Sequence, residues 1–158
     1  MGKWVGLSFA FAVAAVSADA GETCSEDTIY LQGDWGSARF SVDVVDTPES
    51  RSMGLMFVEQ LPRMSGMLFV YDQEQPVAFW MKNTLIPLDM VFADGTGVVQ
   101  HVHDNAIPGD LTAIPGGSNI QFVLEINGGM AETLGIGEGT RMRHPAIPVN
   151  SAVWPCTP

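Results

Sequence analysis

The chemically capable side chains concentrate in the run Phe79-Trp80-Met81-Lys82-Asn83-Thr84, with Asp89 close behind. An extended segment over Val77 to Lys82 puts Trp80 and Lys82 on one face and Phe79 and Met81 on the other. An indole beside an ammonium, an amide, a hydroxyl and a carboxylate makes a binding surface. Trp, Asn and a carboxylate suit a sugar or a peptide, and Lys82 suits an anion. The same residues also have a structural reading. Asn83 and Thr84 would then bond the backbone of the turn around Pro87, and Trp80 would belong to the core. Lys82 would pair with Asp89, a contact worth about 0–1 kcal/mol if exposed.

Glu125 stands in the apolar run Phe122-Val123-Leu124-Glu125-Ile126. On a strand it shares a face with Val123, opposite Leu124 and Ile126. Joined to Asp89 it would make the acid–base pair of a hydrolase acting on envelope polysaccharide. Otherwise it accepts hydrogen bonds from Lys82, Arg51 or backbone amides. His101 and His103 flank Val102, so both imidazoles leave a strand from the same face, about 7 Å apart. That spacing can hold copper or zinc, provided His144 or Asp104 completes the set. Met53 with Met56, and Met64 with Met67, are spaced three apart. They read either as copper(I) thioethers or, in Gly-Leu-Met-Phe and Gly-Met-Leu-Phe, as core.

No Gly-x-Ser-x-Gly, phosphate loop or dinucleotide fingerprint is present. No cofactor is expected. With 7 basic against 18 acidic residues, the net charge is −11, which disfavours nucleic acid and anionic membrane surfaces as partners. The 158 residues are 46% hydrophobic, as in a globular domain.

Residues 1–20 read as a signal peptide. Lys3 precedes an apolar stretch from Trp4 to Val16, and Ala18-Asp19-Ala20 offers a cleavage site. The expected protein is periplasmic or secreted, without stable membrane insertion after cleavage. Cys24 and Cys156 remain, in a compartment where disulfides persist. A bridge between them would stabilise the fold by about 4–5 kcal/mol in the loop-entropy picture.

The elements that must position these residues are mainly strands. Thr28 to Leu31 can start one. Ala38 to Asp46 alternates, with Phe40, Val42 and Val44 on one face. Thr47, Pro48 and Glu49 then suit the N-cap and first turn of a short helix that ends at Gly54. Gly66–Tyr71, Val77–Lys82, Met90–Ala93, Val98–Val102, Asn119–Ile126 and Arg141–Ile147 are further strands, the last placed at an edge by Pro145. Asp94-Gly95-Thr96-Gly97 closes a hairpin. Pro108–Gly117 reads as a loop and Met130–Leu134 as a helical turn. The expected fold is a single compact, mainly β domain, a sandwich, jelly roll or barrel-like form with one or two short helices. It spans residues 38–147, between tails at 21–37 and 148–158.

Five segments together carry a family resemblance. They are Asp46-Thr47-Pro48-Glu49-x-Arg51-x-x-Gly54-Leu55-Met56-Phe57, Gly66-Met67-Leu68-Phe69, Phe79-Trp80-Met81-Lys82-Asn83-Thr84-x-Ile86-Pro87-Leu88-Asp89-Met90, Val123-Leu124-Glu125 and Leu134-Gly135-Ile136. Over about residues 38–145 the chain resembles the domain of unknown function 192 family. The resemblance implies a compact, mainly β fold of jelly-roll or barrel type, often exported, and no particular activity. Many relatives carry a cysteine near the prolines after the hairpin. Ile107-Pro108-Gly109-Asp110 has none, so a cysteine-dependent role for that loop would not transfer. The expectation is a non-catalytic binding or accessory domain for a small polar, saccharide or peptide ligand, or a segment of an envelope protein. Its site is Trp80, Lys82, Asn83, Thr84, Asp89 and Glu125, with Arg51.

Overall fold

The computed structural model describes residues 23–156, so the expected leader lies outside the described residues. The elements run β1 (Thr28–Gly33), β2 (Gly36–Val45), α1 (Pro48–Met53), β3 (Ser65–Phe79), β4 (Leu88–Ala93), β5 (Val99–Ala106), β6 (Ile114–Asn127), α2 (Met130–Leu134) and β7 (Arg141–Arg143). The seven strands form one sheet in the order β5-β4-β6-β3-β2-β1-β7. All neighbours are antiparallel except β2 and β3, which are parallel and joined through α1. The sheet curls until a bridge between Val98 and Arg141 brings the start of β5 against β7. The result is a half-barrel with two short helices, as the strand-rich sequence leads one to expect.

The sheet is apolar on both faces. Leu68, Val91, Phe122, Leu124 and Ile126 enter one cluster with Phe40, Val42 and Ile29. Met67, Phe69, Met90, Phe92 and Val123 enter a second cluster on the opposite face. That is why β3, β4 and β6 carry unbroken apolar runs where a half-buried strand would alternate. Each fully buried side chain such as Phe92 contributes about 1.5–3 kcal/mol over its exposed state. In β2 the alternation holds for Phe40 and Val42, but Val44 lies 37% exposed past the margin of its cluster.

Four boundaries differ from the sequence reading. β1 is a full member of the sheet, with Ile29 and Leu31 buried, so the ordered fold starts well before residue 38. Their apolar faces are few in number and easily taken for a tail. Gly66–Tyr71 and Val77–Phe79 belong to one long β3, carried through Asp72–Gln75 by register shifts against β6. The same irregularities admit Ile114-Pro115-Gly116-Gly117 into β6, where a loop was expected, because a bulged ladder tolerates Pro and Gly. β7 lies at an edge as anticipated, but it ends at Arg143, before Pro145.

Cys24 and Cys156 form a disulfide, with Cα atoms 5.8 Å apart and a sequence separation of 132. Among the described residues no helix is long and apolar enough to cross a membrane.

Candidate functional site

α1 follows the sequence closely. Thr47 is its N-cap and Pro48 opens it. Ser50 N–H donates to Thr47 Oγ1 at 3.1 Å, and Thr47 N–H donates to Ser50 Oγ at 3.1 Å. This is a capping box with Ser in the place usually held by Glu or Gln. Arg51, in the last turn, donates from Nη1 to the carbonyls of Asp46 and of Val70, the latter at 2.8 Å. Its guanidinium lies 4.7 Å from the centre of the Tyr71 ring. Arg51 therefore staples α1 onto β3. Gly54 ends the helix at φ +49, and a Cβ there would come within 3.2 Å of the Phe69 ring. The helix end is drawn down onto the sheet, and its side becomes a wall.

The opposite wall follows β3. Trp80 and Lys82 do not continue the strand, which stops at Phe79. Met81 leaves the ladder with β6 and bonds a loop instead. Its N–H donates to Asp110 O at 2.8 Å, and its carbonyl accepts from Gly109 and Thr84. Met81 is buried in the second cluster, Trp80 is 48% exposed and Lys82 is exposed. The reading of Trp80 as core is thus overturned. Trp80 and Lys82 do meet, since Lys82 Nζ lies 5.0 Å from the centre of the Trp80 ring. Asn83 adopts φ +54, its carbonyl accepts from Phe57 N–H at 2.8 Å, and its amide donates to Met56 Sδ. The turn after Trp80 is in this way tied to the segment after α1.

Between these walls lies a groove of about 390 Å³. Arg51, Tyr71, Trp80, Lys82, Thr84 and Glu125 are among its polar lining, and Met53, Met56, Phe69 and Phe79 among its apolar lining. Glu125 stands opposite Met67 on β3 and Met90 on β4, so it rises from the face of the second cluster. It is 5% exposed, and among the described residues no donor reaches its carboxyl. Neither Lys82 nor Arg51 pairs with it, contrary to its reading as an acceptor. Burial raises its pKa to about 8, so the carboxyl keeps its proton at neutral pH. Burial also raises the pKa of Tyr71, with Glu125 adding to the shift and Arg51 opposing it.

Asp89 does not belong to this groove. It lies opposite Ile126, fully buried on the other face of the sheet. Its carboxylate accepts from Asn105 N–H at 2.8 Å, Gly129 N–H at 2.9 Å and Ala131 N–H at 2.7 Å. α2 has no side-chain cap of its own, and Asp89 satisfies its first turn from β4 on the same face of the sheet. Asp89 pairs with neither Lys82 nor Glu125.

His101 stacks on Phe92 with centroids 5.8 Å apart. His144 is buried elsewhere. Its Nε2 lies 2.9 Å from Glu26 O, and its Nδ1 accepts from Ala146 N–H at 3.1 Å. It does not join His101 and His103, and the described residues hold no group of three or more metal-ligating side chains. Tyr71 and Phe79 are groove residues that the sequence reading missed. Their signal was available for Tyr71, which follows Met67 and Phe69 at the two-residue period of one strand face.

Residues 30–144 match the family described as Uncharacterized ACR, DUF192, and the chain belongs to that family. No curated protein matches it. Among solved structures, a candidate transcription regulator from Sinorhizobium meliloti is similar, with 33% identity and a TM-score of 0.72 over 77% of this chain and 95% of that one. A protein of unknown function from Novosphingobium aromaticivorans has 32% identity and a TM-score of 0.71 over 84% of this chain and 99% of that one.

Proposed function

We propose that this DUF192 member is an exported, non-catalytic binding domain whose groove between α1 and the Trp80 turn takes a saccharide, a peptide segment or another small polar ligand. The observation that carries the reading is Glu125. Glu125 is 5% exposed, lines the groove and has no protein hydrogen-bond partner among the described residues, so its carboxyl is free to bond whatever enters there. Trp80 supports it with an exposed aromatic face at the mouth of the same groove. Export to the periplasm or beyond rests on the apolar leader and agrees with the disulfide.

Native mass spectrometry of the protein recovered from its own host tests the reading. A retained small molecule, lost from Trp80→Ala at unchanged melting temperature, is the expected result. Ligand retention by Trp80→Ala, or unfolding of that variant, would remove Trp80 from the site.

A further inference from the structure

We propose that the groove selects a ligand carrying a carboxylate, held between the Lys82 ammonium and the Glu125 carboxyl acting as hydrogen-bond donor. The body of the ligand would rest on the Trp80 indole. The inference rests on the reading of the groove as a binding site and names the chemistry it would recognise.

Charge is the first argument. The chain carries a net −11, yet the groove is lined by two cations, Arg51 and Lys82, and by one acid, Glu125. Arg51 is engaged by two backbone carbonyls and by Tyr71. Lys82 is different. It is the sole lysine among the described residues, and its ammonium rests on the Trp80 ring with no carboxylate partner among them. An acidic surface with abundant carboxylates would ordinarily pair it. Its placement leaves a positive charge facing a concave wall.

The second argument is the state of Glu125. Arg51 from α1, Tyr71 from β3 and Lys82 from the turn after β3 share the groove lining with it, Tyr71 interacts with it electrostatically, and β4 places Met90 opposite. Its carboxyl is buried and retains its proton at neutral pH, so it offers one O–H donor into the groove. A cationic ligand would meet Lys82 and find no carboxylate. A neutral ligand would leave the ammonium unused. A carboxylate uses both, accepting from Glu125 through one oxygen and from Lys82 through the other. Loss of the Glu125 proton would set a buried negative charge against the ligand.

Two sources supply a carboxylate beside a surface that packs on indole, a uronic acid sugar and a peptide C-terminus. Calorimetric titration of the folded protein with trigalacturonic acid and its methyl ester, and with N-acetyl-trialanine and its amide, distinguishes them. The expected result is that, in whichever series binds, the carboxylate form binds at least tenfold more tightly than its neutral counterpart at pH 7. Lys82→Gln should abolish that preference. Binding to the wild type should weaken at least tenfold between pH 7 and 9.5, and binding to Glu125→Gln less than threefold. Equal affinity for the neutral forms, or an unchanged preference in Lys82→Gln, would overturn the proposal and leave the groove as a site for neutral ligands. Absence of binding by all four probes would also overturn it, while the retained-mass experiment decides the underlying reading separately.

Discussion

Asp89 and Glu125 project from opposite faces of the sheet, because β4 pairs Asp89 with Ile126 and pairs Met90 with Glu125. The two carboxyl groups therefore do separate work. Asp89 holds three backbone amides, and Glu125 waits in a groove without a donor. An acid–base pair across one glycosidic bond needs both groups on the same side of the sheet.

Asp89→Ala should be severely destabilising. It leaves three amides in and around α2 without an acceptor, each costing about 1–3 kcal/mol if buried. Chemical denaturation should show a loss of at least about 3 kcal/mol. A loss below about 1 kcal/mol would mean that water replaces the carboxylate.

Trp80→Ala should cost little stability, within about 0.5 kcal/mol, because half of the ring already faces solvent and the backbone bonds of Met81 hold the turn. Thermal melting gives the check. Met81→Ala, one residue along and fully buried, should cost about 2–5 kcal/mol.

Glu125 should make stability fall as pH rises. Its folded pKa of about 8 stands above the ordinary 4.5, so the folded state keeps a proton that the unfolded chain releases. The contribution is full below about pH 4.5 and is lost as pH climbs through 8, at up to about 1.4 kcal/mol per unit. Denaturation of wild type and Glu125→Gln at several pH values isolates it, since the variant should lack this slope.

His144 should act in the opposite direction. Burial lowers its pKa below 6.5, and its Nδ1 must stay unprotonated to accept from Ala146. Its contribution is present above pH 6.5 and is lost as pH falls through the lowered value. Melting curves from pH 7 to 4 should show an acid limb that is shallower in His144→Gln, though that variant is less stable at pH 7.

Much of the fold was legible because period, caps and turns act locally. Thr47-Pro48 announced α1, Asp94–Gly97 announced the hairpin, and Leu124 and Val123 declared their opposite faces. What was lost depends on distant partners. β1 was read as a strand start but set outside the domain, and it belongs inside because β2 and β7 flank it, while Pro115 enters β6 because β3 is bulged beside it. Of the site, Trp80, Lys82, Thr84, Arg51 and Glu125 were named from sequence and do line one groove. Asp89 was named with them, but the parity of its register on β4, which no local signal reveals, sends it to the other face.

Replacing Cys24 and Cys156 by Ser should cost about 2–5 kcal/mol, read from the denaturation midpoint with and without reductant. The bridge also has a mechanical meaning. Tension on the chain outside it passes from one sulfur to the other and bypasses the sheet. With the bond intact, the polypeptide between them bears no load and the groove keeps its shape under pull. Once it is reduced, the force falls on β1 and the three-residue β7, whose short ladder would peel first. The domain is thus a link that stays inextensible for as long as it stays oxidised.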